Sequence, residues 1–154
     1  MRKLCFTAAA ILTVAGSSLA LAGTVAPDAV KFDKETVTAS LTGVPGDPAN
    51  GRKVFANRKQ GNCLACHKNT DLENLPFHGE VGPSLDGVAL RYKDAELRAI
   101  LVNSKVVLGE DTIMPSFYRL KNGIRPAKKF DGTTILTAQQ VEDVLAYLKT
   151  LKKK

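Results

Sequence analysis

Two thiols and an imidazole lie within five consecutive residues, Cys63-Leu64-Ala65-Cys66-His67. This C-x-x-C-H spacing is that of a c-type haem attachment site. Each cysteine sulfur can add to one haem vinyl group as a thioether, and the histidine that follows is placed beneath the iron as its proximal ligand. Two intervening residues give one turn of backbone, which matches the separation of the vinyl groups. Other chemistries fit the pentapeptide less well. A thioredoxin-like C-x-x-C follows a strand in a βαβ unit, and the flanks show no such unit. A structural zinc site takes four protein ligands. Beyond the N-terminal signal the chain has only Cys63, Cys66, His67 and His78 to offer, and adjacent Cys66 and His67 are awkward partners on one tetrahedral ion. A pair of free surface cysteines is the bland alternative.

A haem iron carried this way needs an axial pair. His67 is the fifth ligand, and Met114 is the only methionine besides the initiator. Thioether sulfur opposite imidazole raises the reduction potential and suits electron transfer. Pro115 fixes the backbone immediately after Met114, in a stretch without helical period, which argues against a bulk-core role. His78, in a Pro/Gly-rich loop near Glu80, is the alternative sixth ligand. A lysine or an open position completes the choices, and an open iron would react with oxygen, nitric oxide or peroxide. A ligating histidine usually donates its other ring N–H to a carbonyl or carboxylate; Pro83, in Gly82-Pro83, offers a carbonyl for that role, against the alternative of an ordinary turn. Arg91 either pairs with a haem propionate or is a surface arginine. No nucleophile–base pair suited to hydrolysis is evident, nor is there a phosphate loop or a second haem motif.

The N-terminus reads as an export signal. Arg2 and Lys3 form a charged start, Phe6 to Val14 an apolar run, and Ala20-Leu21-Ala22 an A-x-A cleavage site, so 1–22 is a signal peptide and the mature chain starts at Gly23. The apolar run is shorter than the roughly 20 residues that span a bilayer, and no membrane anchor is expected. Cys5 lies inside the signal, away from the cleavage point. The implied compartment is periplasmic. The mature chain is one domain of ordinary size, with 23–46 as an N-terminal extension and 47–154 as the haem-binding domain. It keeps only the two haem cysteines, so covalent haem takes the place of a disulfide framework. The formal net charge of +7 falls by two when Arg2 and Lys3 leave. A moderately basic surface favours an acidic protein partner or anionic substrate. Low aromatic content and the absence of basic runs other than Lys152-Lys153-Lys154 argue against nucleic acid and membrane surfaces.

The elements that position these groups are helical. Asp47 is a good N-cap with Pro48 at the first helical position, predicting a helix to about Arg58 with Val54 and Phe55 buried. Gly51 within it either costs stability or admits a second helix closely. Residues 69–86 read as loop, about 94–103 as helix, 106–123 as irregular, and 133–136 as a short extended piece. Thr137-Ala138-Gln139-Gln140 forms a capping box, and Val141, Val144, Leu145, Leu148 and Leu151 share one helical face. This last helix should cross the first, with Gly51 and Phe55 meeting Tyr147 and Leu148. For the extension, a short strand over 37–42 and a disordered leader remain open.

The order helix, C-x-x-C-H, proline loop, helix, Met loop, C-terminal helix resembles a small class I cytochrome c, a mostly α fold. Three runs make the resemblance closer to the SoxX family of monohaem subunits in SoxAX sulfur-oxidation complexes. They are Gly46-Asp47-Pro48-Ala49-Asn50-Gly51-Arg52, Asn57-Arg58-Lys59-Gln60-Gly61-Asn62-Cys63-Leu64-Ala65-Cys66-His67, and Ile113-Met114-Pro115-Ser116-Phe117-Tyr118. The resemblance implies haem c on Cys63 and Cys66, with His67 and Met114 on its iron and Pro83 behind His67. It also implies a heterodimer with a SoxA-like cytochrome. Such a complex joins thiosulfate oxidatively to a cysteine of a SoxYZ-like carrier protein (an L-cysteine S-thiosulfotransferase activity), with the chemistry mainly on the SoxA side. This chain would accept the electrons and relay them to a soluble electron-acceptor cytochrome. A free-standing periplasmic electron carrier is the alternative, and a haem-based gas sensor or peroxidase is a third.

Overall fold

Two helices that cross at a glycine organise the chain. In the computed structural model, which describes residues 23–153, helix α1 spans Pro48–Ala56 and helix α5 spans Ala138–Leu148. The expected signal segment 1–22, with its Cys5, and Lys154 of the terminal lysine run lie outside the described residues. Asp47 caps α1 by accepting the Ala49 N–H at 2.8 Å, and Pro48 fills the position where a missing N–H costs nothing. The helix stops two residues before the expected Arg58, because Asn57 turns to extended geometry and caps it, donating its N–H to Lys53 and Val54 carbonyls. Thr137 and Gln140 make the reciprocal capping box of α5. Leu151, expected on the face of α5, lies beyond its end but is buried, and its carbonyl accepts the Ala89 N–H at 3.2 Å.

At the crossing, Gly51 presses on the α5 backbone at Asp143 and Val144, while Phe55 meets Tyr147 edge to face, with centroids 5.4 Å apart. Helix α3, Asp94–Val102, packs on α5 and supplies Leu97 and Leu101 to the same core. Two short helices escape the sequence pattern: α2, Val88–Arg91, and α4, Ser104–Leu108. Neither is long enough to display a period, and α4 occupies the start of the stretch expected to be irregular. Beyond α4 that stretch carries no helix until a 3₁₀ turn at Lys128–Phe130. A further 3₁₀ turn, Thr70–Leu72, interrupts the expected 69–86 loop.

Neither the 37–42 nor the 133–136 segment forms a strand; among the described residues the only β pairing is a single bridge between Asp33 and Thr36. The N-terminal extension is instead bolted irregularly across the domain. Val37 and Leu41 are buried, the Val37 N–H donates to the Ala95 carbonyl at 3.0 Å, and the Leu41 N–H donates to Glu142 Oε1 at 2.9 Å. Its anchoring partners are side chains and a helix end, not a neighbouring strand, which is why its threonine-rich composition misleads. No described helix is long and apolar enough to cross a membrane.

Candidate haem site

The haem motif follows α1 through a tight reversal. Asn62 takes a left-handed conformation, φ 51°, which asparagine tolerates better than most residues. A 3₁₀ turn over Cys63–Ala65 follows, and the Cys66 and His67 N–H groups both donate to the Cys63 carbonyl, at 3.1 and 2.9 Å. This single turn presents Cys63, Cys66 and His67 to one wall of a cavity of about 510 Å³. Its other walls are mainly apolar and include Phe55, Leu97, Leu101, Phe117, Val144 and Leu148, with Arg58, Lys59 and Lys129 among the polar residues, and Met114 also lines it. The volume lies within the roughly 300–1,000 Å³ typical of cofactor sites. Burial, more than any neighbouring charge, pushes the Cys63 thiol up to about 12, so the free side chain is a protonated thiol at neutral pH. Two thiols, an imidazole and a thioether on a mainly apolar cavity suit a covalently attached, axially ligated haem.

His67 is held from behind. Its Nδ1 lies 2.7 Å from the Pro83 carbonyl oxygen. A carbonyl can only accept, so Nδ1 carries the proton and Nε2 keeps its lone pair for a metal. The chain bearing Pro83 is laced to the motif by three backbone bonds: Gly79 N–H to Leu64, Gly82 N–H to Cys66, and Leu85 N–H to Lys68, all 2.8–2.9 Å. Arg91 closes the outside of this loop. Its guanidinium donates to the Ser84 and Asp86 carbonyls at 2.7 and 2.6 Å, so it engages backbone carbonyls of the proline loop. The Asp86 carboxylate accepts from the Thr70 N–H and hydroxyl, and these bonds, with that from Ser84, hold its pKa down against partial desolvation.

His78 is not on the cavity wall. Its Nδ1 accepts the Asn69 N–H at 3.3 Å, which makes Nε2 the protonated nitrogen and the donor to the Leu72 carbonyl at 3.1 Å. Both ring nitrogens are engaged, so His78 is set aside as the alternative sixth ligand. Met114 is half-buried against the core on the cavity wall, and its carbonyl accepts from the Ser104 hydroxyl at 2.7 Å.

Several residues that shape the site carry no motif. Ser104 and Ser116 are buried beside Met114; Ser116 sits inside the Met-Pro-Ser-Phe-Tyr run, but Ser104 is ten residues away, and no local pattern links them. Glu142 and Asp143 are 5% and 3% exposed although they lie off the apolar face of α5, covered there by the N-terminal extension and α1. Their helical phase is polar, so no sequence signal marks them as buried. Glu142 accepts two bonds from Arg98, at 2.9 and 3.1 Å, while Asp143 accepts from the Asp47 N–H and from Asn50.

The family model for cytochrome c matches residues 48–152. The chain is similar to one in a crystal structure of SoxXA from P. pantotrophus, with 41% identity and a TM-score of 0.78 over 84% of this chain and 99% of that chain. No curated protein matches the sequence.

Proposed function

The chain belongs to the cytochrome c family, as a class I cytochrome of the SoxX type with covalently bound haem c, and from that premise we propose that it is the electron-transfer subunit of a SoxAX-type complex. The observation that carries this reading is the cavity that brings Cys63, Cys66, His67 and Met114 together, in a chain aligned with 99% of its counterpart in SoxXA.

Cys63 and Cys66 hold the cofactor as thioethers. His67 Nε2 and Met114 Sδ would hold its iron, and Pro83 fixes the His67 tautomer. When bound, the haem supplies a one-electron ferric/ferrous couple. The protein's own share would be to shield that couple and to supply both protein ligands to its iron. The mainly apolar walls would shield the group, the lacing of residues 79–85 keeps the imidazole oriented, and the Met114 segment would bring the thioether to the iron. With both ligands supplied by the chain, the iron would carry electrons rather than bind substrate, which is the property of a relay.

In this reading 1–22 is a signal peptide, 23–46 an extension strapped to the domain, 47–154 the cytochrome domain, and the location periplasmic. The partner is a SoxA-like cytochrome that couples thiosulfate oxidatively to a cysteine of a SoxYZ-like carrier. The electrons released pass one at a time through this chain to a soluble cytochrome. Affinity purification of the tagged chain from its host tests this: a second c-type cytochrome should co-purify, and the pair should be reduced by thiosulfate in the presence of carrier. A protein recovered only as a monomer, reduced and reoxidised without carrier, would instead be a free-standing carrier.

A further inference from the structure

The Met114 segment has no helix or strand of its own, yet it must hold a neutral thioether, which is a weak donor, at a fixed point on the cavity wall. The structure shows what fixes it. Ser104, at the start of α4, is fully buried and its hydroxyl donates to the Met114 carbonyl at 2.7 Å. Ser116, 2% exposed, donates to Asn103 Oδ1 at 2.8 Å. Each hydroxyl has one proton, and these two bonds use both, so the 3.3 Å approach of the two serine oxygens is set by their outer partners. The Lys105 ammonium donates to the Thr112 carbonyl. Just downstream, the Phe117 and Tyr118 N–H groups donate to Leu101 and Val102 at 3.0 and 3.2 Å, on the last carbonyls of α3.

We propose that Ser104 and Ser116 are positioning residues for the axial methionine: a buried hydroxyl pair that locks the Met114 backbone to the α3–α4 junction and so holds the thioether on the iron. The inference rests on the reading of Met114 as sixth ligand. Its physical basis is a difference between two states. With the segment in place, the Met114 carbonyl accepts from the hydroxyl of the fully buried Ser104. When the segment swings away, that carbonyl meets water. Removing the Ser104 hydroxyl therefore penalises the ligated state and leaves the released state almost untouched, shifting the equilibrium by on the order of tenfold for one buried hydrogen bond. A serine pair serving general stability alone would not discriminate between the two.

Imidazole titration of the ferric holoprotein reads this directly, because imidazole enters only when Met114 leaves. The signal is loss of the long-wavelength sulfur–ferric iron absorption band. Ser104→Ala should bind imidazole about tenfold more tightly than wild type, Ser116→Ala should shift in the same direction by less, and Ser104→Thr, which keeps the hydroxyl, should return toward wild type. Tyr147→Phe, which keeps the ring against Phe55 and loses only the hydroxyl's bonds to Asn69 and Asp71, off the cavity lining, should leave imidazole affinity unchanged. Wild-type affinity in both serine variants overturns the proposal, as does an equal shift in Tyr147→Phe. If Ser104→Ala does not mature, Ser116→Ala carries the same decision. Failure of the ligand reading looks different: a wild type without the band, with a spectrum unaltered by Met114→Ala, removes Met114 from the iron and the proposal with it.

Discussion

Gly51 of α1 lies against the backbone carbonyl of Asp143 in α5, so closely that a β-carbon at position 51 would overlap that oxygen. Helix propensity alone favours alanine over glycine by about 1 kcal/mol. The contact reverses the sign, because main chain on both sides cannot yield without parting the helices. Parting them would also pull Phe55 from Tyr147 and Asp143 from the Asp47 N–H, 2.9 Å away. Gly51→Ala should therefore destabilise the holoprotein by about 1–3 kcal/mol, the usual cost of overpacking, read as a lower denaturant midpoint. A neutral or stabilising effect would show that the crossing is looser than this geometry.

Glu142 joins the N-terminal extension to the domain. It takes the Leu41 N–H and the Arg98 guanidinium, and Arg98 in turn donates to the Val37 carbonyl at 3.0 Å. The ion pair is well shielded, with side chains 12% and 5% exposed. Breaking such a pair from one side leaves a buried charge uncompensated, at about 3–5 kcal/mol. Glu142→Leu should show a loss of that order and, before global unfolding, release the extension. Limited proteolysis checks the second point: cleavage within 23–46 should accelerate more than cleavage elsewhere.

The sequence shows this extension poorly and the haem motif well, for one reason. The signals that can be read are local: the Cys63–His67 spacing, the Asp47-Pro48 start, the Thr137–Gln140 box and the apolar period of α5 all lie within a turn or two of chain. The extension is ordered by Ala95, Arg98 and Glu142, tens of residues away. Its own residues, free of helical period, cannot reveal partners on α3 and α5. The same holds for Ser104 and Met114, and for His78, whose ring is claimed by Asn69 and Leu72. Gly51 is an intermediate case. Its misfit within a helix leaves a stability cost and a close approach both open, and Gly51 meets the backbone of Asp143 and Val144 rather than the expected Tyr147 and Leu148.

Removing both attachment sulfurs tests the motif itself. Cys63→Ser with Cys66→Ser should give a protein without haem on a denaturing gel stained for peroxidase activity. Haem that survives denaturation in the double variant would place its attachment elsewhere.

Below the α1–α5 crossing, Asp71 accepts from Arg52 at 2.9 Å and from the Tyr147 hydroxyl at 2.8 Å. The Arg52 bond first, and the tyrosine second, hold its carboxyl below the usual range. A lowered folded pKa means stability that is complete above the unfolded value of about 4 and is lost as pH falls through the folded value. The stability gap between wild type and Asp71→Asn should therefore shrink as pH drops from about 5 to about 2. Arg52 and Asp71 are 44% and 46% exposed, so the gap should not exceed about 1 kcal/mol. Burial, aided by Asp71, pushes the Tyr147 phenol up; its contribution is complete below about pH 10 and fades at higher pH. Tyr147→Phe also strips the fully buried Asn69 amide of its 2.9 Å partner, for about 1–3 kcal/mol across neutral pH. Thermal melts of the three proteins across this pH range decide each sign.

Gly82 offers the sharpest test of the support behind His67. A β-carbon there would run into the imidazole ring, and the Gly82 N–H is tied to the Cys66 carbonyl at 2.8 Å. Ring and loop must therefore separate, and the 2.7 Å bond from Nδ1 to Pro83 is the contact that lengthens. A strong hydrogen bond from Nδ1–H makes the opposite nitrogen a better donor and favours ferric over ferrous iron. Weakening it should raise the reduction potential. If the bond contributes about 1 kcal/mol more to the ferric state, the rise is about 40 mV for one electron. Potentiometric titration of Gly82→Ala with its haem still covalently attached should show that upward shift. An unchanged potential would mean that the Pro83 carbonyl holds the ring in place without tuning the iron.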